Sequence, residues 1–272
     1  MKFCNPHLPS SILAVLGFLL LLLLPFDQLL TGFQLGDFQT HHYGDLLKNL
    51  AIIGYGLLLI KVYGYVDVSG VFKWPPKYPI LLHVPLYFVV LGLLIYAIFD
   101  YDFGAVKMED FLVLLLAMLS VGISEEVVFR GFVLPHLIKK APNNQSLLVP
   151  ITSAALLFGL LHLLNLLPAD AKLIVVLSQV TYATLFGVAF GIILLRTESL
   201  LPLGLLHGLI NFSSNWDKLP GAISPTKTAS YLQYEAVISV LVVLPFLWYI
   251  LQQLPKIDRD KTYARFRNNG KE

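Results

Sequence analysis

The chain has 272 residues, of which 57% are hydrophobic and 13% charged, with a formal net charge of +2. Soluble domains carry about 25% charged residues, and the mean hydropathy here is +0.74, so the composition argues against a water-soluble globule. The small positive charge gives no ground for a nucleic-acid partner.

The lone cysteine, Cys4, excludes an internal disulfide framework and any cysteine-based metal cluster. It precedes every apolar segment, which makes it a poor candidate nucleophile.

A helix needs roughly 20 apolar residues to cross the hydrocarbon of a bilayer. Eight stretches qualify as candidates: about 11–30, 46–66, 79–99, 111–138, 147–167, 172–195, 199–215 and 233–254. Several contain Pro or Gly, which membrane helices tolerate when neighbours satisfy the freed backbone groups. The first run begins "MKFCNPHLPSSILAVLG" and could be a secretory signal. No A-x-A-like site follows it, so a retained helix is the preferred expectation.

Little chain is left between the spans, and no linker, repeat or soluble insertion is evident. The expected architecture is all-α: a single polytopic transmembrane helical bundle over 1–272, with a basic cytoplasmic tail at 256–272.

Lysines and arginines in the connections set the expected orientation. With both termini in the cytoplasm, the inner side holds Lys2, Lys61, Lys73, Lys77, Lys139, Lys140, Arg196 and six basic residues of the tail. The outer side holds Lys48, Lys107, Lys172, Lys218 and Lys227. This asymmetry favours eight spans with both ends inside; the expected location is a membrane, as a multi-pass protein, with the cell membrane the first choice. The tail is expected either to remain solvated or to lie against anionic lipid.

Ionisable groups near the centre of a span cost at least about 2.5–3.5 kcal/mol each, so those that persist pair, line a wet cavity or do chemistry. The fourth candidate contains "SEEVVFRGF". Glu126 and Arg130 are four apart, on one helical face, and can form an ion pair. Glu125 faces elsewhere, and its neighbours Val128 and Phe129 cannot neutralise it. It is therefore free for proton transfer unless a cation from another helix reaches it.

The fifth candidate contains "LLFGLLHLLN", placing Phe158, His162 and Asn165 along one face. In the seventh, "LGLLHGLINF" sets His207 and Asn211 one turn apart. Either histidine could be a satisfied packing residue, and polar pairs on membrane helices also act as interhelical glue. Three spans each carrying a polar group that lipid cannot satisfy nevertheless favour one shared cavity. The small-residue pairs Gly187-x-x-x-Gly191 and Gly204-x-x-x-Gly208 would allow the helices to approach closely.

A carboxylate and an imidazole that share a water can direct it at a carbonyl, while imidazole and amide donors receive the oxyanion. Two histidines and a glutamate could instead hold zinc. The absence of H-E-x-x-H and the charge of Arg130 favour the metal-free reading, with no cofactor. No G-x-S-x-G elbow is present, and Asp100 and Asp102 lie together in "FDYDFG" rather than on facing spans. His136 is explained by its place beside Lys139 and Lys140. His7, His41, His42 and His83 are read as having no acidic or amide partner at helical spacing within a span.

In order, Glu125-Glu126-x-x-x-Arg130, Phe158-x-x-x-His162 and His207-x-x-x-Asn211 resemble the three-motif signature of the CPBP intramembrane endopeptidases. That family includes the type II CAAX prenyl proteases and bacterial relatives linked to bacteriocin processing or immunity. The resemblance covers about 111–215, which would be the catalytic core.

It implies that Glu125 activates water with the help of His162, that Glu126 and Arg130 stabilise the site, and that His207 and Asn211 form the oxyanion hole. It also implies a membrane-associated protein or peptide as substrate, within a lipid bilayer. The family has often been described as metal-dependent. A non-proteolytic immunity or scaffold protein is the alternative expectation, and a proton-coupled transporter a more distant one.

Overall fold

Backbone amides and carbonyls find no water in hydrocarbon, so long runs of Leu, Ile, Val and Phe bury them most cheaply as helices. The structure is a computed structural model that describes residues 8–99, 101–142, 144–168, 171–223 and 229–268. Cys4, His7, Asp100 and Lys227 lie outside the described residues.

The helices are α1 (Leu8–Leu23), α2 (Asp37–Val62), α3 (Ile80–Ile98), α4 (Met108–Lys140) and α5 (Leu148–Leu166). They continue as α6 (Leu173–Thr197), α7 (Leu201–Ser213), α8 (Ala229–Leu251) and α9 (Arg259–Asn268). Among the described residues there is no strand, only an isolated bridge between Asp102 and Ile223.

Five helical segments are long and apolar enough to cross a membrane: α3, α4, α5, α6 and Ala236–Lys256, which begins within α8. Leu94, Ile98, Leu156, Leu160, Leu241 and Trp248 are exposed on these segments. Apolar patches on this scale need lipid to cover them.

The other three sequence candidates are also helical but are not among these five. α1 has 16 residues and α7 has 13. α2 is long, yet it carries Asp37, Asp45, Lys48 and Lys61. Its polar groups are tied to α4, where Gln39 donates to Asp110 at 2.7 Å and Ser124 donates to Asn49 at 2.7 Å.

Two local features of α4 and α7 position the polar motifs. Directly after Glu126, α4 widens into a π-helical stretch, Val127–Val133, in which the Leu134 amide reaches back five residues to the Phe129 carbonyl. Pro135 follows. Proline has no amide hydrogen and its ring crowds the carbonyl four residues before it, so a widened turn at this point relieves the clash with Gly131. π-Turns of this kind recur at functional sites.

α4 and α7 cross at glycines. A Cβ on Gly122 would come within 2.6 Å of the Gly204 carbonyl, and one on Gly208 within 2.5 Å of the Leu119 Cα. The Gly204/Gly208 pair is therefore a true close-contact seam, completed by Gly122. The Gly187/Gly191 pair packs in the same way against Ala155 and Ile151 of α5.

The tail carries structure of its own. Its described part forms α9, with Tyr263 and Phe266 buried against the bundle. Arg267 donates to the Ala141 carbonyl, and Arg265 pairs with Glu198 at 2.7 Å. Glu198 ends α6 in a left-handed conformation, with φ 53°. That conformation is costly for a residue with a Cβ, and the carboxylate's three cations offset the cost. Besides Arg265 they are Lys73 at 3.1 Å and Lys77 at 2.9 Å.

Burial alone would raise the proton affinity of Glu198. Lys77, Lys73 and Arg265 outweigh burial and hold its pKa at about 2, below the ordinary 4.5. A carboxyl depressed in this way stabilises the fold above its unfolded-state value, and the contribution is lost as pH falls toward the folded-state value. The unfolding midpoint of the purified protein should therefore drop between pH 5 and pH 2. The Glu198→Gln variant should start lower and show a flatter pH profile. Parallel profiles for the two proteins would refute this role for Glu198.

Candidate active site

Arg130 is 2% exposed and Glu126 is fully buried. The guanidinium Nη1 lies 2.9 Å from Glu126 Oε1, which is the ion pair expected from their spacing. Arg130 also sits over two aromatic faces, 4.7 Å from the centroid of Phe158 on α5 and 5.7 Å from that of Phe190 on α6. Cation–π attraction is strongest where the cation has been stripped of water. Arg130 Nη1 and Nη2 and Glu126 Oε2 have no hydrogen-bond partner among the described residues. The pair is thus held by charge and by the aromatic walls rather than by aligned hydrogen bonds.

Its second partner comes from α7. His207 Nδ1 lies 2.9 Å from the same Glu126 Oε1, while Nε2 lies 3.4 Å from Glu125 Oε2. One imidazole therefore bridges the two adjacent carboxylates. With Glu126 ionised, Nδ1 must donate, which turns Nε2 toward Glu125. The glycine crossing makes this possible, since Gly208 is the next residue and a side chain there would push α7 off α4.

Glu125 is the looser of the two acids. Its side chain is 26% exposed, against 0% for Glu126, and His207 Nε2 is its close charged contact among the described residues.

His162 begins the 3₁₀ turn that ends α5. Its Nδ1 lies 3.2 Å from the Phe158 carbonyl. A carbonyl only accepts, so Nδ1 carries the hydrogen and, in the neutral ring, Nε2 keeps its lone pair. His162 and His207 both stand edge-on to Phe158, at centroid separations of 5.1 and 6.0 Å. Phe158 is thus a shared partition that touches both imidazoles and the guanidinium.

Asn211 lies one turn beyond His207 and is half-buried. Its backbone carbonyl accepts from Asn215 at 2.6 Å, and its side-chain amide makes no hydrogen bond among the described residues. Asn165 is not part of the group. Its side-chain amide is engaged elsewhere, donating to Gln179 of α6 at 2.8 Å.

The structure thus gathers Glu125, Glu126, Arg130 and His207 by direct contact, with His162 joined to them across Phe158. Two contributors escaped the sequence reading. Phe190 could not be distinguished from other aromatic core residues. The Asn49–Ser124 hydrogen bond anchors α4 one residue before Glu125 but involves residue types common throughout helices.

Among the described residues, no third His, Asp or Glu ligand atom lies mutually close to those of His207 and Glu125. Among the described residues, the three side chains whose ligand atoms lie mutually close are His41, His42 and Asp45. Two surface hollows, beside Phe103 and Trp216 and beside Trp74 and Leu206, lie away from the polar group.

Residues 107–213 match the family model described as Type II CAAX prenyl endopeptidase Rce1-like. The match supports the CPBP/CAAX protease family for this segment. All three motifs fall inside the CAAX-protease segment, and the five apolar helices make the chain a multi-pass integral membrane protein. Searches of curated proteins and of solved structures gave no match. The resemblance to the CPBP family is thereby borne out for the segment that carries the motifs.

Proposed function

We propose that the protein is an intramembrane endopeptidase that hydrolyses a peptide bond by glutamate-activated water, with both termini in the cytoplasm and eight helices embedded. The observation that carries this reading is the division of labour between the adjacent acids. Glu126 is buried and neutralised by Arg130, whereas Glu125 is partly accessible beside an imidazole nitrogen. A buried, paired carboxylate cannot take up a proton without losing its partner; Glu125 can.

Glu125 removes a proton from a water, assisted by the His162 Nε2 lone pair, and the resulting hydroxide attacks the carbonyl carbon. The oxyanion takes hydrogen bonds from the unengaged Asn211 amide and from Nε2–H of His207, which acts here as an imidazolium whose Nδ1–H is held by Glu126. The proton held on Glu125 then passes to the departing amine, the C–N bond breaks, and the carboxylate is regenerated. Glu126 keeps the His207 ring in register by holding Nδ1, and Arg130 keeps Glu126 ionised.

By likeness to the type II CAAX prenyl endopeptidases, the substrate is a membrane-tethered protein or peptide. Comparative peptidomics of membranes from cells carrying the wild-type or the Glu125→Ala protein tests this directly. Uncut membrane-anchored termini should accumulate with the variant. Identical peptide profiles, with both proteins inserted at equal levels, would remove the peptidase reading.

A further inference from the structure

Outside the CAAX-protease segment, the first turns of α2 bring together three side chains of metal-binding type. The sequence reading found no acidic partner for His41 or His42, and this is corrected by Asp45, which lies four residues after the first and three after the second. His41 Nε2 is 3.4 Å from Asp45 Oδ2, and His42 Nδ1 is 4.0 Å from the same oxygen. All three ligand atoms lie within 4.8 Å of one another.

We propose that His41 Nε2, His42 Nδ1 and Asp45 Oδ2 form a binding site for a transition-metal cation of the zinc class, separate from the Glu125 centre.

Ligand atoms at about 2.0–2.2 Å from zinc stand about 3.3 Å apart at tetrahedral angles. The His41–Asp45 separation already meets this, and His42 needs only a small ring movement. Two imidazoles and one carboxylate suit a borderline cation such as zinc, and a fourth position would remain for water.

The independent pointer is His42. It is 6% exposed, its Nδ1 has no hydrogen-bond partner, and that atom faces the shared oxygen. Leaving a buried ring nitrogen unsatisfied is costly. An ordinary ion-pair cluster of His41, Asp45 and Lys48 would not explain it.

Lys48 holds the other oxygen, Oδ1, at 2.7 Å, which orients the carboxylate and leaves Oδ2 for the metal. Such supporting contacts commonly tune metal sites. Lys218, which is exposed, is the other nearby cation and can swing away. The Asp45 carbonyl accepts from Asn49, whose own side chain accepts from Ser124, so the site is joined to the turn that carries Glu125.

The inference does not depend on peptidase activity. The full chain, purified in detergent micelles without a histidine tag, is dialysed against zinc chloride and its bound metal measured. Wild-type and Glu125→Gln proteins should each hold one zinc per chain. His41→Ala and Asp45→Asn should bind about tenfold or more weakly, with unchanged metal-free melting curves because both side chains are partly accessible. Undiminished zinc binding by these two variants, loss of zinc on Glu125→Gln, or no binding by the wild type would each overturn the proposal.

Discussion

The Glu125→Gln protein should insert and melt like the wild type yet lose cleavage of a membrane-tethered peptide by about 10²–10⁴-fold, the usual contribution of a positioned general base. The substitution keeps the shape of the side chain and its place beside His207 Nε2, now 3.4 Å from Oε2. It removes only the capacity to take up a proton. Fold and function therefore separate at this residue, because Glu125 bears no buried ion pair comparable to that of Glu126.

His162→Ala should also fall sharply, since no other described side chain offers an imidazole lone pair beside Phe158. Turnover by Glu125→Gln within about threefold of wild type would fall far short of the loss expected on removing a general base. The catalytic assignment would then be wrong, whatever the family.

Glu126 and Arg130 should behave in the opposite way. Removing one member of a buried pair strands its partner, at a cost of about 3–5 kcal/mol. Glu126→Ala leaves a guanidinium that is 2% exposed with aromatic faces as its main remaining compensation, and Arg130→Ala leaves a carboxylate with no exposure at all. Each single variant should unfold far more readily in mixed detergent micelles.

The double variant Glu126→Leu/Arg130→Met should recover most of that stability, because apolar replacements of a buried pair are often neutral or favourable. It should still be inactive, since His207 Nδ1 would have lost the oxygen that holds it at 2.9 Å. Single variants that lose less than about 1 kcal/mol, the range of solvent-exposed pairs, would mean that the site is hydrated and the pair weak.

These expectations separate stability from chemistry within one six-residue stretch, and they explain how readable each part was. Spacing along a helix is dictated by the backbone, so the Glu126–Arg130 pair could be read from four residues of separation. The same rule applied to His41, His42 and Asp45. There it is less conspicuous, because those residues stand ahead of the apolar run, where polar side chains are ordinary.

The charge-count reading of the tail had no such local basis. Tyr263 and Phe266 pack into the apolar core while Glu198, more than sixty residues earlier, supplies the anion for Arg265.

The sequence by itself determined that this is a helical membrane protein, roughly where its apolar segments lie, which acid would be paired within its own helix, and which family its core resembles. Only the tertiary structure decided that one imidazole bridges both acids, that Phe158 and Phe190 wall the guanidinium, and that Asn165 turns away. The reason is physical. Contacts within a helix follow from its pitch, whereas contacts between helices depend on where two rods cross. Here that point is chosen by Gly122 meeting Gly204 and Gly208, where the absence of side chains lets α7 carry His207 to the α4 carboxylates.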